Sequence, residues 1–311
     1  MTRKIQFYIL LCIVSIVLTN CKNKSVQISD NPESGTIYIS VDESFKPVIE
    51  DQIKMYESSY PNTHIIATYK SEVECFRDFF KDSTNRLIIV GRGLNTREEH
   101  FMIDSLGYNP GCNAVASDAV TIVINKKNQD SLFTLASLKD QLQGKIKRDK
   151  IAVFDGTNAT STVRYIKDSV LKKEAYDTSV VKALKNSREV LDFVSKHENA
   201  IGFIGISWIG NQEDSTQINL LHSVKTAYVR CDICENMPYV KPMQQNLISL
   251  RYPLVRPLYY INKENFEGLG TGFTSFLKYE RGQLIFRRAY LGTKMDFNTR
   301  NVQINESNQK K

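Results

Sequence analysis

The sequence predicts an α/β fold, on three observations. Short runs rich in β-branched residues alternate with segments of helical periodicity through most of the chain. Several of those runs stop at glycine or hydroxyl residues just before a helix begins, as strands do in open α/β sheets. The composition, 41% hydrophobic and 24% charged over 311 residues, is that of a chain with a sizeable core and a solvated surface, and from Gly35 onward it is long enough for two α/β lobes.

The N-terminus is set apart. Arg3 and Lys4 precede an apolar run from Phe7 to Leu18, too short to span a bilayer but suited to the hydrophobic region of a secretory signal, so residues 1–20 are expected to be a signal peptide. Leu18-Thr19-Asn20-Cys21 resembles a bacterial lipobox, with Asn20 where a smaller residue is usual. That resemblance implies cleavage before Cys21 and lipidation of its thiol; several acyl chains, each buried CH₂ contributing roughly 0.8 kcal/mol, anchor firmly. Residues 21–34 are polar enough to be a tether.

The globular part opens with GTIYISV, Gly35 to Val41, an alternating β-branched strand. Asp42, Glu43 and Ser44 follow, and then Phe45, Val48, Ile49, Ile53 and Tyr56 at helical spacing, with Pro47 suited to a first turn and Pro61 closing the helix. His64 to Tyr69 predicts a strand, and Cys75, Phe76, Phe79 and Phe80 a short helix. Arg86 to Val90 is a buried-looking strand ending at Gly91-Arg92-Gly93, where flexible backbone carries one cation. Arg92 suits either a bidentate bond to an oxyanion or a surface pair with a carboxylate. A helix is expected from Asn95 to Leu106, a strand from Asp118 to Asn125 and a helix from Leu132 to Leu142.

Ile151 to Ile166, IAVFDGTNATSTVRYI, reads as strand, tight loop and helix. Thr160 and Ser161 are residue types that cap helices. The loop of Thr157, Asn158, Ala159, Thr160, Ser161 and Thr162 suits an anion, because free N–H groups and a partial positive charge gather at a helix N-terminus. A simple cap on a buried helix explains the same residues. Beyond it, a helix is expected from Val180 to His197, a strand from Ala200 to Ile206, a strand from Tyr252 to Ile261, and a closing helix from Phe273 to Leu291 that contains Gly282.

Composition narrows the function. The formal charge of +7, or +5 without Arg3 and Lys4, mildly suits an anionic ligand, while no basic stripe interleaved with aromatics points to nucleic acid. His64, His100, His197 and His222 form no metal-binding or catalytic pair, and no G-x-S-x-G surrounds Ser161, so neither an enzyme nor a metal or cofactor site is expected. Cys231-Asp232-Ile233-Cys234 reads first as a local disulfide, with metal binding and redox chemistry as alternatives.

Taken in order, GTIYISVDESFKPV, LIIVGRGLNTREE, DAVTIVIN, NATST, AIGFIG, YPLVRPLYYI and FTSFLKYERGQLIFRRAYLG resemble the PstS-like substrate-binding proteins of phosphate ABC transporters, over roughly Gly35 to Gly292. The resemblance implies a type II periplasmic-binding-protein fold: two α/β lobes joined by crossover strands, with a ligand cleft between them that closes on a dehydrated oxyanion. It implies lobe I from 35–117 and 235–311, and lobe II from 118–234. The family's threonine turn falls on Asp42, Glu43 and Ser44, of which Ser44 keeps the hydroxyl. Its Gly-Ser-Gly-Thr loop falls on Ala159, Thr160, Ser161 and Thr162, so hydroxyls survive and both glycines are lost. Its upstream basic residue falls near Gly156 and is missing, leaving Arg164 to reach in, and the aspartate that takes the ligand's proton in some members is Arg92. The implied ligand residues are thus Asp42, Ser44, Gly91, Arg92, Asn158, Thr160, Ser161, Thr162 and Arg164. The implied protein is a monomeric lipoprotein of the cell envelope that binds inorganic phosphate for an ABC permease. The rival expectation is a family member that binds another oxyanion, or one that acts as a sensor or assembly lipoprotein because Asp42 and Glu43 repel anions.

Overall fold

A computed structural model describes residues 30–146, 149–156, 160–295 and 297; the expected signal peptide, Cys21 and Asn158 lie outside them. β1 (Ser34–Asp42) runs parallel to β2 (Asn62–Lys70) on one side and β3 (Asn85–Val90) on the other. Ile37, Ile39 and Val41, the alternating aliphatic residues that mark β1 in the sequence, are all buried.

The architecture turns on β4 (Gly111–Asn125), which is long enough to serve both halves of the sheet. Its first part pairs antiparallel with β12 (Val255–Asn262) as far as Ala119, and from Val120 it pairs with β8 (Ala200–Gly205). β6 (Ile151–Phe154) lies parallel to β8, with β7 (Val181–Ala183) beyond it, so the order is β2-β1-β3-β12-β4-β8-β6-β7. β9 (Val224–Thr226) and β13 (Gly292–Thr293) add short pairings to β4. A separate small sheet joins β5 (Leu132–Phe133), β10 (Tyr228–Arg230) and β11 (Tyr239–Val240). This mixed sheet flanked by helices is the α/β architecture that the sequence predicts.

Helices start where capping chemistry permits. α1 (Lys46–Ser59) carries Pro47 in its first turn and buries Val48, Ile49, Ile53 and Tyr56. α2 (Glu72–Lys81) and α3 (Thr96–Leu106) open on reciprocal capping boxes, Ser71 with Glu74 and Asn95 with Glu98, and α3 stops at left-handed Gly107. α4 (Leu135–Leu142) begins three residues later than Leu132, whose backbone is instead in β5. α5 (Ser161–Ser169) starts at Thr160, whose hydroxyl accepts the Val163 N–H.

Two expected helices are corrected. The span from Val180 to His197 is β7 followed by α6 (Ser187–Lys196), because Asn186 caps the helix through the Glu189 N–H and leaves the preceding residues free to pair with β6. After α7 (Ser215–Leu220) and α8 (Gln244–Ile248), the closing segment is two helices, α9 (Leu269–Lys278) and α10 (Glu280–Arg288), broken at extended Tyr279. Gly282 permits the bend: a Cβ there would lie 2.3 Å from the Phe276 carbonyl oxygen.

Cys231 and Cys234 are joined as a disulfide, so the local-loop reading of that motif holds; Cys75 and Cys112 are free thiols. Among the described residues no helix is long and apolar enough to cross a membrane.

Candidate oxyanion site

The carboxyl end of β1, the start of α5 and the start of β12 meet at one buried point. Beyond β1 the chain makes a single 3-10 turn, Glu43–Phe45, that brings the Ser44 side chain against Asp155 and the start of α5, from the other half of the sheet. The Ser44 hydroxyl donates to Asp155 Oδ2 at 3.1 Å and lies 3.0 Å from Thr162 Oγ1 and 3.4 Å from Ser161 Oγ. Asp155, the residue after β6, also accepts from the Thr160 and Thr162 hydroxyls at 2.9 and 3.0 Å. Two glycines allow this closeness. A Cβ on Gly205 would meet the Ser44 carbonyl at 2.7 Å, and one on Gly91 would meet Ser161 Cβ at 2.9 Å.

Asp42 bridges the two sides. Its Oδ1 accepts the Ser44 N–H at 2.9 Å and its Oδ2 accepts the Ser161 N–H, the first amide of α5, at 3.2 Å. Asp42, Ser44, Ser161 and Thr162 are completely buried. Beneath them Arg256 on β12, also completely buried, donates Nε to Asp118 at 2.8 Å and Nη1 to Ser161 Oγ at 2.9 Å, and packs over the Phe45 ring. Its Nη2 and Asp118 Oδ1 have no hydrogen-bond partner among the described residues. At the edge, Glu43 accepts from both the N–H and the hydroxyl of Ser187.

Carboxylates outnumber cations here, and their ionisation shows it. Burial, with Glu72 and Asp155 nearby, pushes Asp42 up to about 6 against the pull of Arg256. Burial and the charge of Asp155 push Glu43 up to about 8, against the Ser187 hydrogen bonds. Burial likewise raises Asp118, although Arg256 opposes it. An open groove of about 770 Å³ leads to the cluster past Glu43, Lys46, Tyr69, Lys70, Asp155 and Trp208. A larger groove of about 930 Å³, lined by residues such as Met55, Met243 and Arg287, shares none of these side chains. Among the described residues no group of His, Cys, Asp and Glu is arranged to hold a metal ion.

The family model of the PBP superfamily domain matches residues 27–280. The chain belongs to that family. The structure of this PBP superfamily member is similar to that of a Clostridium perfringens protein described as a candidate phosphate ABC transporter substrate-binding protein, solved with bound phosphate. The TM-score is 0.66 at 20% identity, covering 83% of this chain and 99% of that one. An ABC-type phosphate transport receptor of Vibrio cholerae gives a TM-score of 0.59 at 18% identity, covering 83% and 100%. PstS of Borrelia burgdorferi gives 0.50 at 17%, covering 84% and 99%. At these identities the likeness is one of fold, and the fold is PstS-like. No curated protein sequence matches this one significantly.

Of the residues the sequence singles out in this PBP superfamily member, Asp42, Ser44, Thr160, Ser161 and Thr162 come together. Gly91 and Arg164 sit one step away: Glu72 on α2 accepts the Gly91 N–H at 3.0 Å and pairs with Arg164, which also donates to the Gly91 carbonyl. Arg92 is not brought to the cluster. Its guanidinium is held by both oxygens of Glu98, at 2.7 and 2.8 Å, and lies over the Phe76 ring, so the carboxylate-pair alternative is the one the structure realises. Asp155, Arg256, Asp118, Glu72 and Ser187 were not anticipated. The available signal was a lone charge inside an apolar run, as in YPLVRPLYYI and SDAVTIVIN, which implies a buried pair.

Proposed function

We propose that this chain is the substrate-binding component of an ABC importer and captures a small oxyanion, inorganic phosphate above all, at the junction of Ser44, Ser161 and Arg256. The reading takes lobe I as 35–117 and 235–311 and lobe II as 118–234, with β11 reaching back to β10. It takes Cys21 as the lipid anchor of a monomeric cell-envelope protein that hands its ligand to permease subunits. One observation carries it. Hydroxyl and N–H donors from the two halves of the sheet converge on one buried point at a helix N-terminus, beside a buried guanidinium. Phosphate offers four oxygens to such a shell.

A second reading has its own support. Both of those N–H donors are already taken by Asp42, and the Ser44, Thr160 and Thr162 hydroxyls by Asp155, so most of the donors around the site are satisfied by the protein's own carboxylates. That favours a sensor or assembly lipoprotein that binds no free anion. Calorimetry of the mature protein with phosphate, sulfate and molybdate separates the two. The first reading predicts heat saturating at or below millimolar phosphate; absence of heat with all three anions supports the second.

Because Arg92 is engaged by Glu98, Arg92→Ala is expected to leave phosphate affinity within about threefold of wild type while costing α3 on the order of 0.5–1 kcal/mol. A loss of affinity of roughly tenfold or more would put Arg92 in the site.

A further inference from the structure

We propose that Asp42 is a resident occupant of the oxyanion position, and that a free anion binds only by displacing its carboxylate. The inference rests on the reading of the cleft as an oxyanion site and names how that site is regulated. The geometry of Asp42 is that of a bound anion. Its two oxygens are shared between donors contributed by different halves of the sheet, the Ser44 N–H at 2.9 Å, two residues on, and the Ser161 N–H at 3.2 Å, 119 positions from Asp42 in sequence. Ser161 N–H is the first amide of α5, one of the groups a helix leaves without an internal partner, and it is fully buried, so it requires an acceptor. A carboxylate edge and a phosphate edge present two oxygens at similar spacing, so one substitutes for the other on the same pair of donors.

The surroundings make the substitution selective. Glu72 from α2 and Asp155 just beyond β6 face Asp42 with like charge, while Arg256 from β12 faces it with opposite charge and holds the Ser161 hydroxyl. One internal carboxylate is thereby tolerated. Adding a doubly charged anion beside it is not, because the same two N–H groups cannot serve both and the three carboxylates repel it. Asp42 therefore lowers the affinity of the site for free oxyanion and ties the two halves together when no ligand is present.

The test uses the mature chain with Asp42→Ala and the isosteric Asp42→Asn, inorganic phosphate as the probe, and amide hydrogen exchange in the segment that begins at Ser161. Without anion, Asp42→Ala is expected to speed exchange in that segment, and phosphate to restore protection. Both variants are expected to bind phosphate at least about tenfold more tightly than wild type. If wild type binds phosphate and the folded variants bind no more tightly, Asp42 is not a competitor, and the oxyanion reading stands without it. If no form binds phosphate, the oxyanion reading fails; exchange at Ser161 unchanged in the folded Asp42→Ala protein would then overturn the bridging role as well. Should Asp42→Ala not fold, Asp42→Asn alone decides affinity against wild type.

Discussion

Arg256→Met is expected to destabilise the protein by about 3–5 kcal/mol, the usual consequence of leaving one member of a buried ion pair alone. Arg256 and Asp118 have no solvent exposure, and Nε lies 2.8 Å from Oδ2. Burial already pushes the Asp118 carboxyl upward, and the guanidinium is what opposes that push. Methionine fills much of the space over Phe45 but supplies no charge, so Asp118 must either stay ionised in an apolar setting or take a proton. The loss should therefore deepen as pH rises. The double variant Arg256→Met with Asp118→Asn removes both charges and should recover a large part of the loss, because the penalty comes from the uncompensated partner. Urea denaturation of the three variants reads this directly. A cost below about 1 kcal/mol for Arg256→Met would mean that the pair is not what holds β12 to β4 at the cleft.

Stability should fall as pH rises between about 5 and 9, opposite to the trend that ion-paired carboxylates impose. Asp42 is raised to about 6 and Glu43 to about 8, each above its ordinary value of 3.8 or 4.5. The folded protein thus holds these protons more tightly than the unfolded chain does. The resulting stability is fully present below about pH 4 and is lost as pH climbs through 6 and then 8. A shift of one unit corresponds to about 1.4 kcal/mol, so the combined loss is on the order of several kcal/mol, with the larger share from Glu43. Groups with lowered values, such as Asp30 beside Arg86 and Glu98 beside Arg92, act below their ordinary carboxylate range and leave this window alone. Glu43→Gln keeps an acceptor for Ser187 and loses the titration, so its urea midpoint should vary much less between pH 7 and 9. A midpoint in the wild type that is flat or rises with pH would show that Glu43 is not held protonated.

The fold was legible because its signals are local. Runs such as GTIYISV, with alternate residues Ile37, Ile39 and Val41 buried, and AIGFIG, buried throughout, are marked as strands by their own composition, and Ser71, Asn95 and Thr160 announce helix starts through chemistry confined to a few residues. Errors arose where two elements abut without a strong break. Val181–Ala183 is too short for its edge-strand pattern to outweigh the helical periodicity that follows, and the bend at Tyr279 depends on how closely α9 and α10 approach at Gly282.

The site was half legible for a related reason. Hydroxyls at the ends of strands and starts of helices mark Ser44, Thr160, Ser161 and Thr162. Which arginine serves them depends on side-chain direction across 95 residues of intervening chain, and sequence carries no trace of that. Arg92 lay at the right turn and faces Glu98; Arg256 lay inside a strand and faces Ser161. Asp42 reads in the sequence either as a ligand residue or, in the rival expectation, as one that repels anions, and which of these applies depends on bonds the sequence does not show: its carboxylate accepts the Ser44 and Ser161 N–H groups.

The measurement that tests this account most directly is a crystal structure of the mature protein at millimolar phosphate. The account predicts an oxyanion accepting the Ser44 and Ser161 N–H groups beside Arg256, with the Asp42 carboxylate turned away from both. Phosphate bound elsewhere or not at all, with Asp42 still bridging those two amides, would contradict it.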